Sequence, residues 1–421
     1  MSIICGTDLS QASLGAFDVA RALAAQHGDR EVVLVHVVDG EPSKDELAAL
    51  RVRLEAQARI AGSPPARTEL IVGPADETLV GFAETEGSDL IVIAAQSHTD
   101  RSFTRLGATA AQVIARTHVP VIVVRDPAPW LAFARGDRPL KILLGIDDSA
   151  TCDLGIQWTL ALGKRGPIEV VLGAIYYPDD AAAHYGLPAR GMVERDPEIE
   201  RLMERDLVRR FAGSAPPGTP SPGVTARARR GLGRIGDHMI ELARAEGVDA
   251  IVVGTGQKTG LGRLGSVSSV IVQDASESVV CVPPQAVVIT QSVPVLQQSL
   301  VATDLSQFAN RAVPYAFALT QPGGMVHILH VVKEDAEIDE PALIRQLEAL
   351  APAGASHDVR AHVVRGDDAA SAMAQTAARF GVDVICIASH GRSGISRALV
   401  GSVADRLLRA TRLPVLVLRP A

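Results

Sequence analysis

Between Val382 and Val403 the chain reads V-D-V-I-C-I-A-S-H-G-R-S-G-I-S-R-A-L-V-G-S-V. An apolar run of strand type, Val384 to Ile387, feeds a Ser-His-Gly-Arg-Ser-Gly loop. Gly401-Ser402 then opens an amphipathic helix, with Val403, Leu407 and Leu408 at helical spacing. Strand, glycine-containing loop and helix start make an anion site. Glycine lets the main chain approach an oxyanion, and the free N–H groups and dipole of a helix start favour negative charge. Arg392 is a candidate partner for that charge. No H-E-x-x-H or G-x-S-x-G occurs, and no carboxylate pair is singled out by spacing. The chemistry on offer is binding, with no evident general base or nucleophile.

The stretch belongs to a unit that occurs three times. Each copy starts with a short strand ending in Asp: Cys5-Gly6-Thr7-Asp8-Leu9-Ser10, Leu143-Leu144-Gly145-Ile146-Asp147-Asp148-Ser149 and Val301-Ala302-Thr303-Asp304-Leu305-Ser306. Each later reaches a helix start at Gly107-Ala108, Gly265-Ser266 or Gly401-Ser402, separated from the Asp by 99, 118 and 97 residues. The period is too long for a solenoid, so the copies are whole domains.

In copy one, Ser10 is placed to cap a helix carrying Leu14, Phe17, Ala20 and Leu23 on one face, with Gly28 as its C-cap. Val32 to Val38, interrupted by His36, has the pattern of a strand covered on both faces. Helical segments are expected at 44–61, 76–86 and 107–116, and strands at 69–72, 90–94 and 119–124. Copy three repeats the order, with strands at 326–332, carrying His330, and at 414–418. Copy two has strands at 170–175 and 278–282 and an insertion at 176–211, in which 194–210 reads as a surface helix. Strands alternating with helices predict parallel α/β sheets. The domains are expected at 1–126, 139–284 and 297–421, joined by the proline-punctuated linkers 126–139 and 283–294.

Composition narrows the function. The 421 residues suffice for roughly three domains. They are 47% hydrophobic and 21% charged, enough to build cores, while 3% aromatic argues against a base-stacking single-strand binder. A net charge of −7 leaves no electrostatic footprint for nucleic acid. Cys5, Cys152, Cys281 and Cys386 are too scattered for a metal site or a disulfide framework. No signal peptide and no membrane span are expected, so a soluble cytoplasmic protein fits best.

These residues resemble the universal stress protein family. Its nucleotide-binding members carry G-x-x-G, nine residues, then G-[S/T] after the fourth strand. Copy three has Ala388-Ser389-His390-Gly391, Arg392 to Val400, then Gly401-Ser402, with Ala388 in place of the first glycine. The T-D-L-S turn at 303–306 and the H-V-V strand end at 330–332 extend the likeness over three tandem units. The resemblance implies Rossmann-like open parallel sheets of the adenine nucleotide α-hydrolase-like class. It implies ATP, AMP or ADP, with or without Mg²⁺, in copy three. Asp304 and Val331 would contact adenosine, with Ala302 and Thr303 along the same edge. Gly391, Gly401, Ser402 and Val403 would hold the phosphates, with His390 inside the motif.

Copy one has Ala94, Ser97 and Ala108 at the fixed motif positions, and Asp100 where copy three has Gly394, so nucleotide binding is expected to be lost although Asp8 and Val37 remain. Copy two keeps glycines from Gly254 to Gly262, but its loop is two residues shorter; Lys258 can still meet a phosphate as a point charge. Gly231-Leu232-Gly233-Arg234-Ile235-Gly236 matches G-x-G-x-x-G, yet it falls mid-domain after a poor buried strand. The expected function is a nucleotide-responsive regulator in stress response. The alternatives are a slow ATPase and an interaction module without nucleotide. Members of the family pair through the last strand of the sheet. Two copies can therefore satisfy each other within the chain, leaving copy three to form a homodimer through its C-terminal edge strand.

Overall fold

The computed structural model describes residues 2–26, 31–59, 66–95, 106–147, 149–188, 195–215, 222–256, 267–284, 286, 296–388, 402–411 and 413–419. It forms two compact units, one of Met1–Tyr176 with Leu207–Ser292 and one of Tyr177–Asp206 with Val293–Ala421.

Copy one runs β1 (Ser2–Gly6), α1 (Gln11–Ala25), β2 (Glu31–Val38), α2 (Lys44–Ala58), β3 (Arg67–Val72), α3 (Ala75–Thr85), β4 (Leu90–Ala94), α4 (Ala108–Arg116) and β5 (Val121–Val124). Ser10 caps α1 by accepting from the Ser13 N–H, as its residue type and position predict. Ser43 and Glu46 form a capping box that starts α2. Gly28 lies outside the described residues.

The junction at 126–139 is not a plain linker. It holds α5 (Ala128–Arg135), ended by Gly136 at φ +75°, and it buries Trp130 and Phe133 completely. Pro127 packs where a Cβ on Gly15 of α1 would stand, 3.2 Å away, so the missing side chain lets the junction dock.

Copy two runs β6 (Leu140–Gly145), α6 (Ala150–Gly163), β7 (Ile168–Tyr176), α7 (Pro178–Tyr185), α8 (Pro197–Gly213), β8 (Gly223–Arg230), α9 (Ile235–Glu246), β9 (Ala250–Gly254), α10 (Val267–Asp274) and β10 (Ser278–Val282). Among the described residues the first unit has one ten-stranded sheet, ordered β3-β2-β1-β4-β5-β10-β9-β6-β7-β8. Every neighbouring pair is parallel except β5 with β10, which run antiparallel with Val123 opposite Val279 and Val121 opposite Cys281. The expected pairing of two copies through their last strands is therefore present within the chain. One core spans the seam, with Val121, Val123, Val279 and Cys281 in a single buried cluster.

Copy three runs β11 (Gln298–Ala302), a 3₁₀ turn (Ala309–Ala312), α11 (Val313–Leu319), β12 (Met325–Val332), α12 (Glu340–Glu348), β13 (Asp358–Arg365), α13 (Ala369–Phe380), β14 (Val384–Ala388), α14 (Ser402–Ala410) and β15 (Val415–Leu418). Its sheet is ordered β13-β12-β11-β14-β15, all parallel. The first helix is broken in two because Pro314 has no N–H to continue it and sits instead in the first turn of α11.

The insertion of copy two departs from expectation. Residues 177–206 count with copy three's unit, and α8 belongs from Leu207 onward to the other. Gln375 Nε2 donates to the Ala183 carbonyl at 3.4 Å. Arg205 donates to the Ala378 and Arg379 carbonyls at 2.8 and 2.6 Å. A cation on the last carbonyls of α13 is favourable for its dipole. Ile199 and Leu202 of α8 are buried, so this is not merely a surface helix. Among the described residues, no helix is long and apolar enough to cross a membrane.

Candidate functional site

In copy three, β11 is the strand from which the chain order departs in both directions, so a crevice opens at its carboxyl end between β12 and β14. Ala302 ends β11 opposite Leu329, two residues short of Val331 on β12, and Ala388 ends β14. The turn at 303–306 lies over this end. The Thr303 N–H donates to the Leu329 carbonyl at 2.9 Å, prolonging the sheet by one residue. The chain then reverses through Leu305 at φ +65°, which an L-residue with a branched side chain adopts only under constraint.

The constraint is visible. The Leu305 N–H donates to Thr303 Oγ1 at 2.9 Å, and the Ser306 N–H to Asp304 Oδ1 at 2.9 Å. Thr303 Oγ1 donates to Asn310 Oδ1 at 2.6 Å. His330 on β12 places Nδ1 2.8 Å from the Thr303 carbonyl, which assigns the ring proton to Nδ1. The turn's side-chain and main-chain hydrogen bonds to Ser306 hold the Asp304 carboxyl below its usual range, with His330 adding a smaller pull in the same direction. Thr303 is buried and Asp304 exposed, so the carboxylate faces solvent at the crevice.

Copy one builds the same turn. Leu9 has φ +62°, the Ser10 N–H donates to Asp8 Oδ1 at 3.0 Å, and His36 Nδ1 stands 2.7 Å from the Thr7 carbonyl. A cavity of about 170 Å³ opens here, lined by Thr7, Asp8, Val37, Ala94 and Gly107 among others. At its far side the Gly107 N–H donates to the Ala95 carbonyl at 2.9 Å.

Copy two differs. Ala174 occupies the histidine position, since Gly145 pairs with Gly173 as Ala302 does with Leu329. Its Asp turn is held by Arg210 of α8, which donates to the Asp147 carbonyl at 2.7 Å and to Asp153 Oδ1 at 2.8 Å. A Cβ on Gly254 would stand 2.8 Å from the Thr151 main chain. That glycine therefore serves the close approach of α6 to β9. The G-x-G-x-x-G glycines have structural roles of their own: Gly233 adopts φ +92°, and a Cβ on Gly236 would meet Val270 of α10 at 2.7 Å. Their strand, β8, is the sheet edge and not a switch point.

Of the residues expected in the site, Ala302, Thr303, Asp304, Val331 and Ala388 gather at the carboxyl ends of three adjacent strands. Ser402 and Val403 open α14 and are exposed. His390, Gly391, Arg392 and Gly401, like Lys258 and Asp100, lie outside the described residues. His36 and His330 were expected as strand histidines, and they prove to tether the turn. The sequence carried no sign that Leu9 and Leu305 are strained or that Arg210 reaches Asp147. Cys5, Cys281 and Cys386 are buried strand residues, and burial pushes the Cys281 and Cys386 thiols up to about 12. Among the described residues no group of three or more His, Cys, Asp or Glu is placed to hold a metal ion.

The model of the universal stress protein family matches residues 1–125, 140–283 and 297–419. A universal stress protein of Methanocaldococcus jannaschii is 31% identical over 140 residues, covering 30% of this chain and 82% of that protein. Universal stress protein G of Shigella flexneri is 30% identical over 130 residues, covering 27% of this chain and 90% of that protein. Among solved structures, a universal stress protein from Archaeoglobus fulgidus DSM 4304 covers 67% of this chain and 98% of its own at 15% identity and a TM-score of 0.46. A universal stress protein in complex with cAMP covers 30% of this chain and 99% of its own at 24% identity and a TM-score of 0.26. With three successive matches of one family model along its length, the chain belongs to the universal stress protein family, as three tandem copies in one polypeptide.

Proposed function

We propose that copy three binds an adenine nucleotide, ATP, ADP or AMP, and that occupancy of this site makes the protein a nucleotide-responsive regulator in the stress response. One observation carries the reading: a strained Leu305, held by the Thr303 hydroxyl and the His330–Thr303 tether, presents an ionised Asp304 at the switch point of a parallel sheet. Ligands bind such sheets at that point. The spacing from Ala388 to Gly401-Ser402 supplies the phosphate end. Ser402 and Val403 would offer helix-start N–H groups and a hydroxyl, with Gly391, Gly401, His390 and Arg392 beside them. Mg²⁺ would be held by the nucleotide's own oxygens, which suits a metal that takes few protein ligands. With no residue evident to orient a water, hydrolysis is slow and the protein is a binder rather than a working ATPase.

We also propose a cytoplasmic homodimer joined through β15. Support comes from the same chain, in which the equivalent strands β5 and β10 already pair edge to edge.

Mass analysis of the natively purified protein tests the nucleotide reading, followed by calorimetry with ATP, AMP and cAMP. One tightly held adenine nucleotide per chain, lost in Gly401→Val, is expected. ATP binding unchanged in Gly401→Val would overturn the assignment to copy three.

A further inference from the structure

We infer that copy three carries an acid-sensitive latch: a hydrogen-bonded pair of histidines beneath the end of α13 releases that helix end, and the strap 177–206 seated on it, when the pair takes up a proton. The inference does not rest on the nucleotide reading of copy three.

His327 on β12 is 5% exposed, and its Nδ1 stands 3.0 Å from Nε2 of His362 on β13. One hydrogen lies between the two nitrogens, so one imidazole donates and the other is bare at that atom. Phe380, the last residue of α13, closes the pair. Its ring centre lies 4.9 Å from that of His327 and 4.5 Å from that of His362, and the two imidazoles stack at 5.2 Å. The phenyl ring also packs on the core that holds Leu300, Leu329, Met373 and Ala377. All of these residues lie in the described stretch 296–388.

A proton has no good place here. Added to the bare nitrogen it destroys the hydrogen bond. Added elsewhere it charges a ring stacked among apolar groups. The surroundings oppose it too. In register with His327 stand Leu300 of β11 on one side and Arg360 of β13 on the other. Along the same face, Met325 and Leu329 flank His327, while Arg360 and Asp358, both exposed, precede His362. α13 contributes Met373, Ala377 and Phe380. From the strap, Arg205 reaches the Ala378 and Arg379 carbonyls, with Asp206 2.7 Å from its guanidinium. Burial, and then the Arg360 charge, push the His362 imidazole below its ordinary value.

The opened state takes the proton that the closed state refuses. The latch is therefore closed above the ordinary imidazole value of about 6.5 and loosens as pH falls from there toward the lower closed-state value. Phe380 follows directly on the two carbonyls that seat Arg205. The strap rests on the same helix at Gln375, which donates to the Ala183 carbonyl and lies 3.0 Å from where a Cβ on Gly186 would stand. Freeing the end of α13 thus unseats the strap.

Hydrogen exchange of the full chain, read by mass spectrometry and corrected for the intrinsic pH dependence of exchange, tests this. Between pH 7.5 and pH 5.5, opening of α7 and of the last turn of α13 should become about tenfold more frequent, as expected one unit below the ordinary imidazole value. His362→Gln hydrogen-bonds without titrating and should abolish the response. His184 of α7 is also held low by burial, so His184→Gln is the control and should leave the response intact. No response in the native chain, a full response in His362→Gln, or its loss in His184→Gln would overturn the inference. Circular dichroism establishes folding. If His362→Gln does not fold, Arg360→Gln at an exposed position decides: the response should shrink, and an unchanged one would overturn the latch. Nucleotide binding is not read in any arm, so the two readings fail separately.

Discussion

The last strands of copies one and two and the last strand of copy three are the same element in different company. Val121, Ile122 and Val123 of β5 are fully buried, as are Val279 and Val280 of β10. All four residues of β15 are half-buried. Their apolar character is alike, so the difference comes from what covers the edge. The main chain makes the comparison sharp. The Ile385 N–H donates to the Pro414 carbonyl and the Ile91 N–H to the Pro120 carbonyl. In a parallel pair alternate residues face alternate sides, so Val415 and Val417 direct their N–H groups away from β14, as Val121 and Val123 direct theirs away from β4. In copy one those groups meet β10. In copy three no strand meets them among the described residues, and such an edge is a template for another strand.

One substitution made at both places breaks the comparison. Val123→Pro removes an N–H that β10 needs and leaves a buried acceptor unpaired, so chemical denaturation should report a loss of about 3 kcal/mol or more. Val417→Pro removes the equivalent N–H from an edge that β14 does not use. It should lower chain stability by about 1 kcal/mol or less, while light scattering at tens of micromolar shows monomer in place of dimer. Equal stability losses at the two sites, or a dimer that survives Val417→Pro, would remove the basis for pairing through β15.

The two T-D-L-S turns allow a finer cut. His330→Ala releases the Thr303 carbonyl and should relax the strained Leu305, weakening ATP binding about tenfold in calorimetry, on the scale of the strain such residues hold. His36→Ala makes the same change in copy one and should leave ATP affinity alone. A matching loss from His36→Ala would mean that the nucleotide is bound in copy one.

The smallest effect concerns pH. The hydrogen bonds from Ser306 depress the Asp304 carboxyl below its ordinary value. Its contribution to stability is therefore present above the unfolded-state pKa and is lost as pH falls through the lower folded-state value. The stability difference between the native chain and Asp304→Asn should be present at about pH 7 and shrink as acid titrates the depressed folded-state carboxyl, below the ordinary carboxylate range. A difference that grows on acidification would contradict the assigned hydrogen bonds.

Much of this was legible in the chain alone. The repeated strand-end Asp and the glycine at each later helix start divide it into three, and the apolar runs at 90–94 and 278–282 coincide with β4 and β10. Such features are local: apolar period, turn residues and capping hydroxyls act over a few positions and leave their mark in composition. Tertiary structure decided the rest. Which carbonyl His330 meets depends on strand register across 27 residues. Gly254 is read from sequence as a phosphate-loop glycine, and only packing shows that the Thr151 main chain occupies its Cβ space. The α7–α8 insertion lies within copy two's sequence, yet Arg205 caps α13 of copy three. These are contacts between segments distant along the chain, and their partners are set by how the elements pack, which no local pattern of residues encodes.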